Sequence, residues 1–234
     1  MTFDQVALPD VSDLTVAILG GTGDQGRGLA YRLARAGQRV LIGSRSAERG
    51  GQAAADLSAA LARVPGVTTE VLGGDNGYAA GLADLVVIAV PWEGHAATVA
   101  ALAAPLAGKV VVDCVNPLGF DAHGPYALAV PEGSAAQQAA ALLPGSRVCA
   151  AFHHVSAVVL ADPAVERVEL DVLVLGDDRE AVSVVQALAG RITGVRGVYA
   201  GRLRNAAQVE AFTANLIAIN RRYKTHAGVR ITDL

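Results

Sequence analysis

Along this chain the apolar residues gather in short, nearly unbroken runs, separated by longer stretches of helical spacing. Thr15 to Leu19, Arg39 to Gly43, Leu85 to Val90 and Lys109 to Cys114 are almost continuously apolar. That pattern predicts strands covered on both faces of a parallel sheet, because a strand with one wet face would alternate. Gly28 to Ala36, the alanine-rich Ala47 to Arg63, and Gly94 to Ala104 read as the helices between them. Val67 to Leu72 is expected to be another strand, ahead of a glycine-rich passage over Gly73 to Gly77, and Pro91 ends the third of the apolar runs.

From Asn116 a long connection interrupted by glycine and proline leads to a helix from Ser134 to Leu143. Strands follow at Arg147 to Phe152 and Asp171 to Gly176, and a helix begins near Arg179. In the last periodic stretch, Leu203 to Tyr223, Glu210 and Arg221 break the apolar stripe, a pattern compatible with partial burial against a partner subunit. The alternation predicts an α/β fold, a Rossmann-type doubly wound, mostly parallel sheet with a smaller C-terminal α/β region. Residues 1–14 read as a short leader, 15–150 as the nucleotide domain and 151–234 as the smaller part, with a soft boundary near 145 to 160.

Directly after the first strand, Gly21-Thr22-Gly23-Asp24-Gln25-Gly26 fits G-x-G-x-x-G and opens a helix. Gly21 allows a tight turn, Gly23 lets backbone approach a pyrophosphate, and Gly26 lets helix and strand pack closely, while free amides at the helix start face the anion. Asp24 helps start the helix but would oppose a pyrophosphate if it turned inward. In a chain with 26 glycines the fingerprint is weak alone, and the strand before it and helix after it give it weight. About 20 residues beyond the turn an NAD site places an acid for the ribose hydroxyls; here that place is Gly43. Ser44, Arg45 and Arg49 offer a hydroxyl and two guanidinium forks instead, which suit a 2′-phosphate and predict NADP. Arg45 and Arg49 could equally be solvated charges flanking a helix capped by Ser44 or Ser46.

The 234 residues suffice for a substantial core. With 52% apolar and 18% charged residues and a formal charge of −3, the profile is that of a globular protein without the electrostatic footprint of a nucleic-acid binder. No apolar stretch reaches spanning length before a charge, glycine or proline interrupts it, and the first ten residues lack the pattern of a secretory signal. Cys114 and Cys149, both in expected strands, suit free buried thiols in a reducing cytoplasm.

Ligands of an open α/β sheet lie beyond the carboxyl ends of its strands. Three segments qualify: Val90-Pro-Trp-Glu-Gly-His95, Val115-Asn-Pro-Leu-Gly119 and Ala151-Phe-His-His-Val-Ser156. A flat redox ring can pack against Pro91, Trp92, Pro117 or Leu118, and His153, with His154 second, is the candidate for polar contact with it. The histidines and cysteines lack metal-ligand spacing, no G-x-S-x-G elbow is present, and the glycine turn carries no P-loop lysine. Redox chemistry is what remains.

The segments Leu19-Gly-Gly-Thr-Gly-Asp-Gln-Gly-Arg-Gly28, Ile42-Gly-Ser-Arg45, Val90-Pro-Trp-Glu-Gly-His95, Ala151-Phe-His-His154 and the tail Gly228-Val-Arg-Ile-Thr-Asp-Leu234 together resemble the coenzyme F420-dependent NADP oxidoreductase family. The resemblance covers nearly the whole chain after the leader. It implies that Thr22, Ser44, Arg45 and Arg49 surround the NADP 2′-phosphate and that Gly21, Gly23 and Gly26 lie near the pyrophosphate. It also implies that Val90, Pro91, Trp92, His95, Asn116, Pro117, Leu118 and His153 line the site of nicotinamide and deazaflavin, with His153, Trp92 and Pro117 nearest the chemistry. His154 stands where a threonine can occur. Reversible hydride transfer between F420 and NADP, no metal, and a cytoplasmic homodimer follow from the same resemblance. A reductase using a flavin, carbonyl or imine, or an NADP-binding protein without turnover, would share the front half.

Overall fold

The computed structural model describes residues 7–234, so the first six residues of the expected leader lie outside it. The rest of the leader lies against the sheet: Val11 is buried, and the Gln38 amide donates to the carbonyls of Val11 (2.9 Å) and Leu14.

The described residues form ten strands and nine α-helices. In chain order they are β1 (Thr15–Leu19), α1 (Asp24–Arg35), β2 (Arg39–Ser44), α2 (Ala47–Leu61), β3 (Val71–Asp75), α3 (Asn76–Leu82) and β4 (Leu85–Ile88). Next come α4 (His95–Ala101), α5 (Ala103–Leu106), β5 (Val110–Asp113), β6 (Leu118–Asp121), β7 (Gly124–Ala127), α6 (Ala135–Leu142) and β8 (Arg147–Ala150). The chain ends with α7 (Ala157–Ala161), β9 (Leu170–Gly176), α8 (Arg179–Gly190), β10 (Val195–Gly201) and α9 (Ala206–Tyr223).

Eight strands form one sheet in the order β10-β9-β8-β5-β4-β1-β2-β3, parallel throughout except where β9 runs antiparallel to β8. The order reverses between β1 and β4, and the crevice beyond their carboxyl ends is the expected ligand position. Alternate residues of each strand go to opposite faces, which explains the unbroken apolar runs. Val16, Ile18, Val40, Ile42, Val87 and Val112 meet Leu29 and Leu33 of α1 and Val185 and Leu188 of α8. Ala17, Leu19, Leu41, Val86, Ile88 and Val111 meet Ala79, Val99, Leu106, Ala139 and Val209 on the other side. Each such Leu, Ile or Val contributes about 1.5–3 kcal/mol by leaving water. Both clusters combine residues from before and after position 150, so the later strands extend the same sheet.

Several elements depart from the apolar pattern. The strand expected over Val67 to Leu72 begins at Val71 and runs through Gly73 and Gly74. Helix α2 lies directly on it: a Cβ at Gly73 would sit 2.1 Å from the Gly50 carbonyl oxygen. The long connection after Asn116 contains the hairpin β6–β7, whose turn is held by the Asp121 carboxylate accepting from the amides of His123 and Gly124. Helix α7 packs on α1 at Gly28, and the buried Arg32 guanidinium donates to the carbonyls of Val159, Leu160, Asp162 and Val165 at 2.6–2.8 Å. Finally, β10 adds a parallel edge to β9, and the C-terminal tail docks where both begin: Asp171 pairs with Arg196 at 2.7 Å and accepts from the Ile231 amide at 2.7 Å.

Candidate active site

The turn after β1 is built by contacts only glycine permits. Gly20 has φ +74°, and a Cβ on Gly26 would meet the Gly20 oxygen and the Gly21 Cα, each at 2.7 Å. Gly23 is different: the nearest atom to its added Cβ is the Gly20 oxygen at 3.4 Å, ordinary contact distance. The amides of Gly21 and Gly23 are used internally, on the carbonyls of Gly43 and Gly20, and among the described residues no acceptor meets those of Thr22, Asp24 and Gln25. Those free donors at the N-terminus of α1 are the chemistry a pyrophosphate requires. The Asp24 carboxylate turns outward to Arg27 at 2.7 Å.

At the end of β2, Ser44 is buried and Arg45 is exposed, while Ser46 caps α2 by accepting from the Arg49 amide at 3.4 Å. Capping therefore falls to Ser46; Ser44 ends β2, next to β1, and Arg45, just before α2, and Arg49, in its first turn, are exposed. Neither arginine forms an ion pair among the described residues. Asn76 closes the floor, accepting from the Gly20 amide at 3.4 Å.

Beyond β4, Pro91 is exposed and Trp92 half-buried; Val90 is turned into the core. His95 lies beneath them, wholly buried, with its ring 5.6 Å from that of Trp92 and its nitrogens bonded to Asp113 (2.6 Å) and Gln138 (2.9 Å). It supports the Trp92 wall from behind and offers no surface of its own. Beyond β5, Pro117 is buried, Asn116 and Leu118 are half-buried, and the Asn116 amide donates to the His153 carbonyl at 2.9 Å.

Beyond β8 the chain turns through Phe152, which has φ 65°, a region that disfavours bulky residues. His153 and His154 follow, each only 3% exposed. Both nitrogens of the His153 ring lack a hydrogen-bond partner among the described residues. Burial pushes its pKa down to about 4, Asp113 and backbone groups opposing only in part, so the ring is neutral near pH 7 and offers one donor and one acceptor. His154 is also pushed to about 4, by burial and then by His153, but its Nε2 accepts from the Leu173 amide at 3.3 Å. The first ring thus has neither nitrogen bonded, whereas the second is tied to β9 through Nε2 and leaves only its Nδ1 without a partner among the described residues.

These segments share one sheet edge, and known proteins share the chain. Residues 15–117 match the family described as NADP oxidoreductase, coenzyme F420-dependent. The F420-dependent NADP reductase of Methanothermobacter thermautotrophicus is 40% identical over 226 residues, covering 94% of this chain and 96% of its own. The chain belongs to the F420-dependent NADP reductase family. That of Methanocaldococcus jannaschii is 39% identical over 224 residues, covering 94% and 99%. A crystal structure from Arthrobacter sp. FB24, provisionally described as an F420-dependent NADP reductase, superposes with a TM-score of 0.74 at 28% identity, covering 94% and 99% of the two chains.

In this member of the reductase family, α9 supplies side chains that sequence reasoning missed. The Thr213 hydroxyl lies 3.2 Å from the His153 carbonyl and 3.4 Å from the Asn116 side-chain oxygen. One turn earlier, the buried Glu210 carboxylate accepts from the amides of Ala135 (2.9 Å) and Ala136 (3.1 Å), at the start of α6. Burial raises its pKa to about 7 against the lowering effect of those bonds. The broken stripe of α9 was the available signal, since a glutamate at an otherwise apolar position needs a local partner. Among the described residues no three or more His, Cys, Asp or Glu are grouped to hold a metal, and no helix is long and apolar enough to cross a membrane.

Proposed function

We propose that this protein is an F420:NADP oxidoreductase. The reading is carried by similarity over nearly the whole chain: the residues after 117, and not only the nucleotide fingerprint, align with F420-dependent NADP reductases. When bound, reduced F420 supplies a hydride from C5 of its deazaflavin and NADP accepts it at C4 of its nicotinamide, reversibly, giving F420 and NADPH.

The residues present fit both groups. For NADP, the open side of Gly23 and the free amides at the start of α1 suit the pyrophosphate, and Ser44, Arg45, Arg49 and Thr22 suit the 2′-phosphate. For F420, the unpartnered His153 ring supplies a neutral polar contact in an otherwise apolar wall of Pro91, Trp92, Pro117 and Leu118. The protein's work is to hold two flat rings against one another and keep water out, because hydride transfer is sensitive to alignment and needs no protein nucleophile. His153 orients or polarises the deazaflavin as a hydrogen-bond partner; its low pKa suits it poorly to be an acid at neutral pH.

The 151–234 part covers the deazaflavin and contributes to a homodimer that operates in the cytoplasm. Support comes from exposed Phe212, Ile219 and Tyr223 on α9 and exposed Phe120 and Tyr126 on the hairpin beside it. The deciding experiment mixes the protein with NADPH and oxidised F420, and in parallel with FMN, FAD and a cyclic imine. Bleaching of the deazaflavin band with F420 is expected; turnover with another acceptor and none with F420 would reject the assignment.

A further inference from the structure

The His95–Asp113 contact is buried to the last atom, and it joins two strand ends that belong to different walls of the ring pocket. His95 starts α4 directly after the Trp92 turn, and Asp113 ends β5. Its Nε2 meets Asp113 Oδ2 at 2.6 Å, and its Nδ1 meets Gln138 Oε1 at 2.9 Å. The Gln138 amide is oriented by its own nitrogen, which donates to Glu132 at 3.2 Å, so the oxygen is what faces the imidazole. Both ring nitrogens therefore face acceptors, and both must carry hydrogen: the geometry calls for an imidazolium.

We infer that His95 is a positioning residue, a buried imidazolium that locks Trp92 on one side and the Val115–Asn116 turn on the other into a single rigid wall for the deazaflavin. The inference rests on the reading that Trp92 and Pro117 face that ring. Toward Trp92 the link is the stacked ring pair, with planes 29° apart, where a cation gains from the indole face. Toward the other wall it is Asp113, whose second oxygen accepts from the Val115 amide at 3.0 Å. From there Asn116 reaches the His153 carbonyl at 2.9 Å, so one chain of contacts joins all three strand-end segments. Burial opposes a charge on His95, but the bond and charge of Asp113, then Gln138 and the Glu210 charge, leave its pKa raised. An apolar residue would satisfy the core at this position, whereas a charged pair fixes direction.

Trp92 is the chain's single tryptophan, so its emission reports this wall directly. The test uses the full chain and the variants His95→Gln, Asp113→Asn and Trp92→Leu. The wild type, His95→Gln and Asp113→Asn are measured for tryptophan emission with acrylamide quenching, and all three variants for NADPH Kd and for KM and kcat with F420. In ligand-free His95→Gln, loss of the cation beside the indole should brighten the emission and raise the quenching constant above the wild-type value. Its KM for F420 should rise roughly 10-fold, with the NADPH Kd unchanged. Asp113→Asn keeps a similar shape without the charge and should move the same readouts in the same direction, which preserves the test if His95→Gln does not fold. Wild-type emission and quenching in both variants, with an F420 KM raised only by Trp92→Leu, would overturn the inference and leave the pocket reading intact. An F420 KM unmoved by Trp92→Leu would instead overturn the pocket reading, and the inference with it.

Discussion

Replacing Gly23 by alanine should leave the protein folded and cripple NADP binding, whereas the same change at Gly26 should damage the fold itself. Gly23 precedes α1 at φ −80° and ψ 166°, a conformation open to alanine, and its added Cβ would find only the Gly20 oxygen at 3.4 Å. The cost to stability is the loss of a tolerable helix cap, about 1 kcal/mol or less. At Gly26 the Cβ would sit 2.7 Å from two backbone atoms, and backbone cannot swing aside. A displacement of the turn against β1 should cost roughly 3 kcal/mol or more. The ligand side reverses the order. A methyl group on Gly23 occupies the approach of a pyrophosphate to the amides of Thr22, Asp24 and Gln25. Loss of one charge-assisted bond of about 1.5–3 kcal/mol corresponds to about 10- to 100-fold in Kd. Urea unfolding without ligand gives the first quantity and NADPH fluorescence titration the second. A Gly23→Ala protein that binds NADPH as the wild type does would show that the pyrophosphate lies elsewhere.

Three other outcomes follow from the same structure. Arg45→Ala, at an exposed side chain without an ion pair, should raise the KM for NADP by about 10-fold or more while leaving NAD turnover nearly unchanged, measured as the ratio of the two kcat/KM values; an unaltered ratio would remove Arg45 from the 2′-phosphate. Gly50→Ala puts a Cβ 2.0 Å from the Gly74 oxygen and should separate α2 from β3, costing roughly 3 kcal/mol or more in urea unfolding. His154 has a folded pKa of about 4, below the ordinary 6.5, so its neutral form contributes stability that is complete above about pH 6.5 and lost as pH falls toward 4. His154→Gln should therefore flatten the acid limb of stability against pH by up to about 1.4 kcal/mol per pH unit; an equally steep limb in the variant would show that His154 does not charge on unfolding. Glu210, raised to about 7 from 4.5, acts in the opposite sense, contributing most below pH 4.5 and less through pH 7, so it partly offsets that limb in the wild type.

The strands of the central sheet were readable because burial on both faces leaves no polar alternation to confuse with a helix, as Val16 to Leu19 and Leu85 to Ile88 show. The glycine turn and Ser44-Arg45 were readable because their chemistry is local: amides, a missing acid and a guanidinium lie close in sequence. What the sequence hid was set by distant neighbours. Gly73 and Gly74 look like loop residues, yet they lie in β3 because the Gly50 carbonyl presses on that strand. The resemblance counts His95 among the residues lining the ring pocket, and only the fold reveals that it is buried with Asp113 and Gln138 at its two nitrogens. Thr213 lies 60 positions from the carbonyl it contacts.

The turn through Phe152 shows how such distant neighbours connect the two halves of the site. A bulky residue at φ 65° costs about 1–3 kcal/mol and persists only where its surroundings enforce it. Two constraints are present: the Phe152 ring is fully buried, and its carbonyl accepts from the Gln25 side-chain nitrogen Nε2 at 3.2 Å. Gln25 belongs to the first turn of α1, inside the glycine fingerprint, so the segment that offers free amides to a pyrophosphate also fixes the backbone that aims His153. Strain at the end of β8 is thus held from the glycine turn, and a shift of that turn would be felt at the His153 ring proposed to meet the deazaflavin.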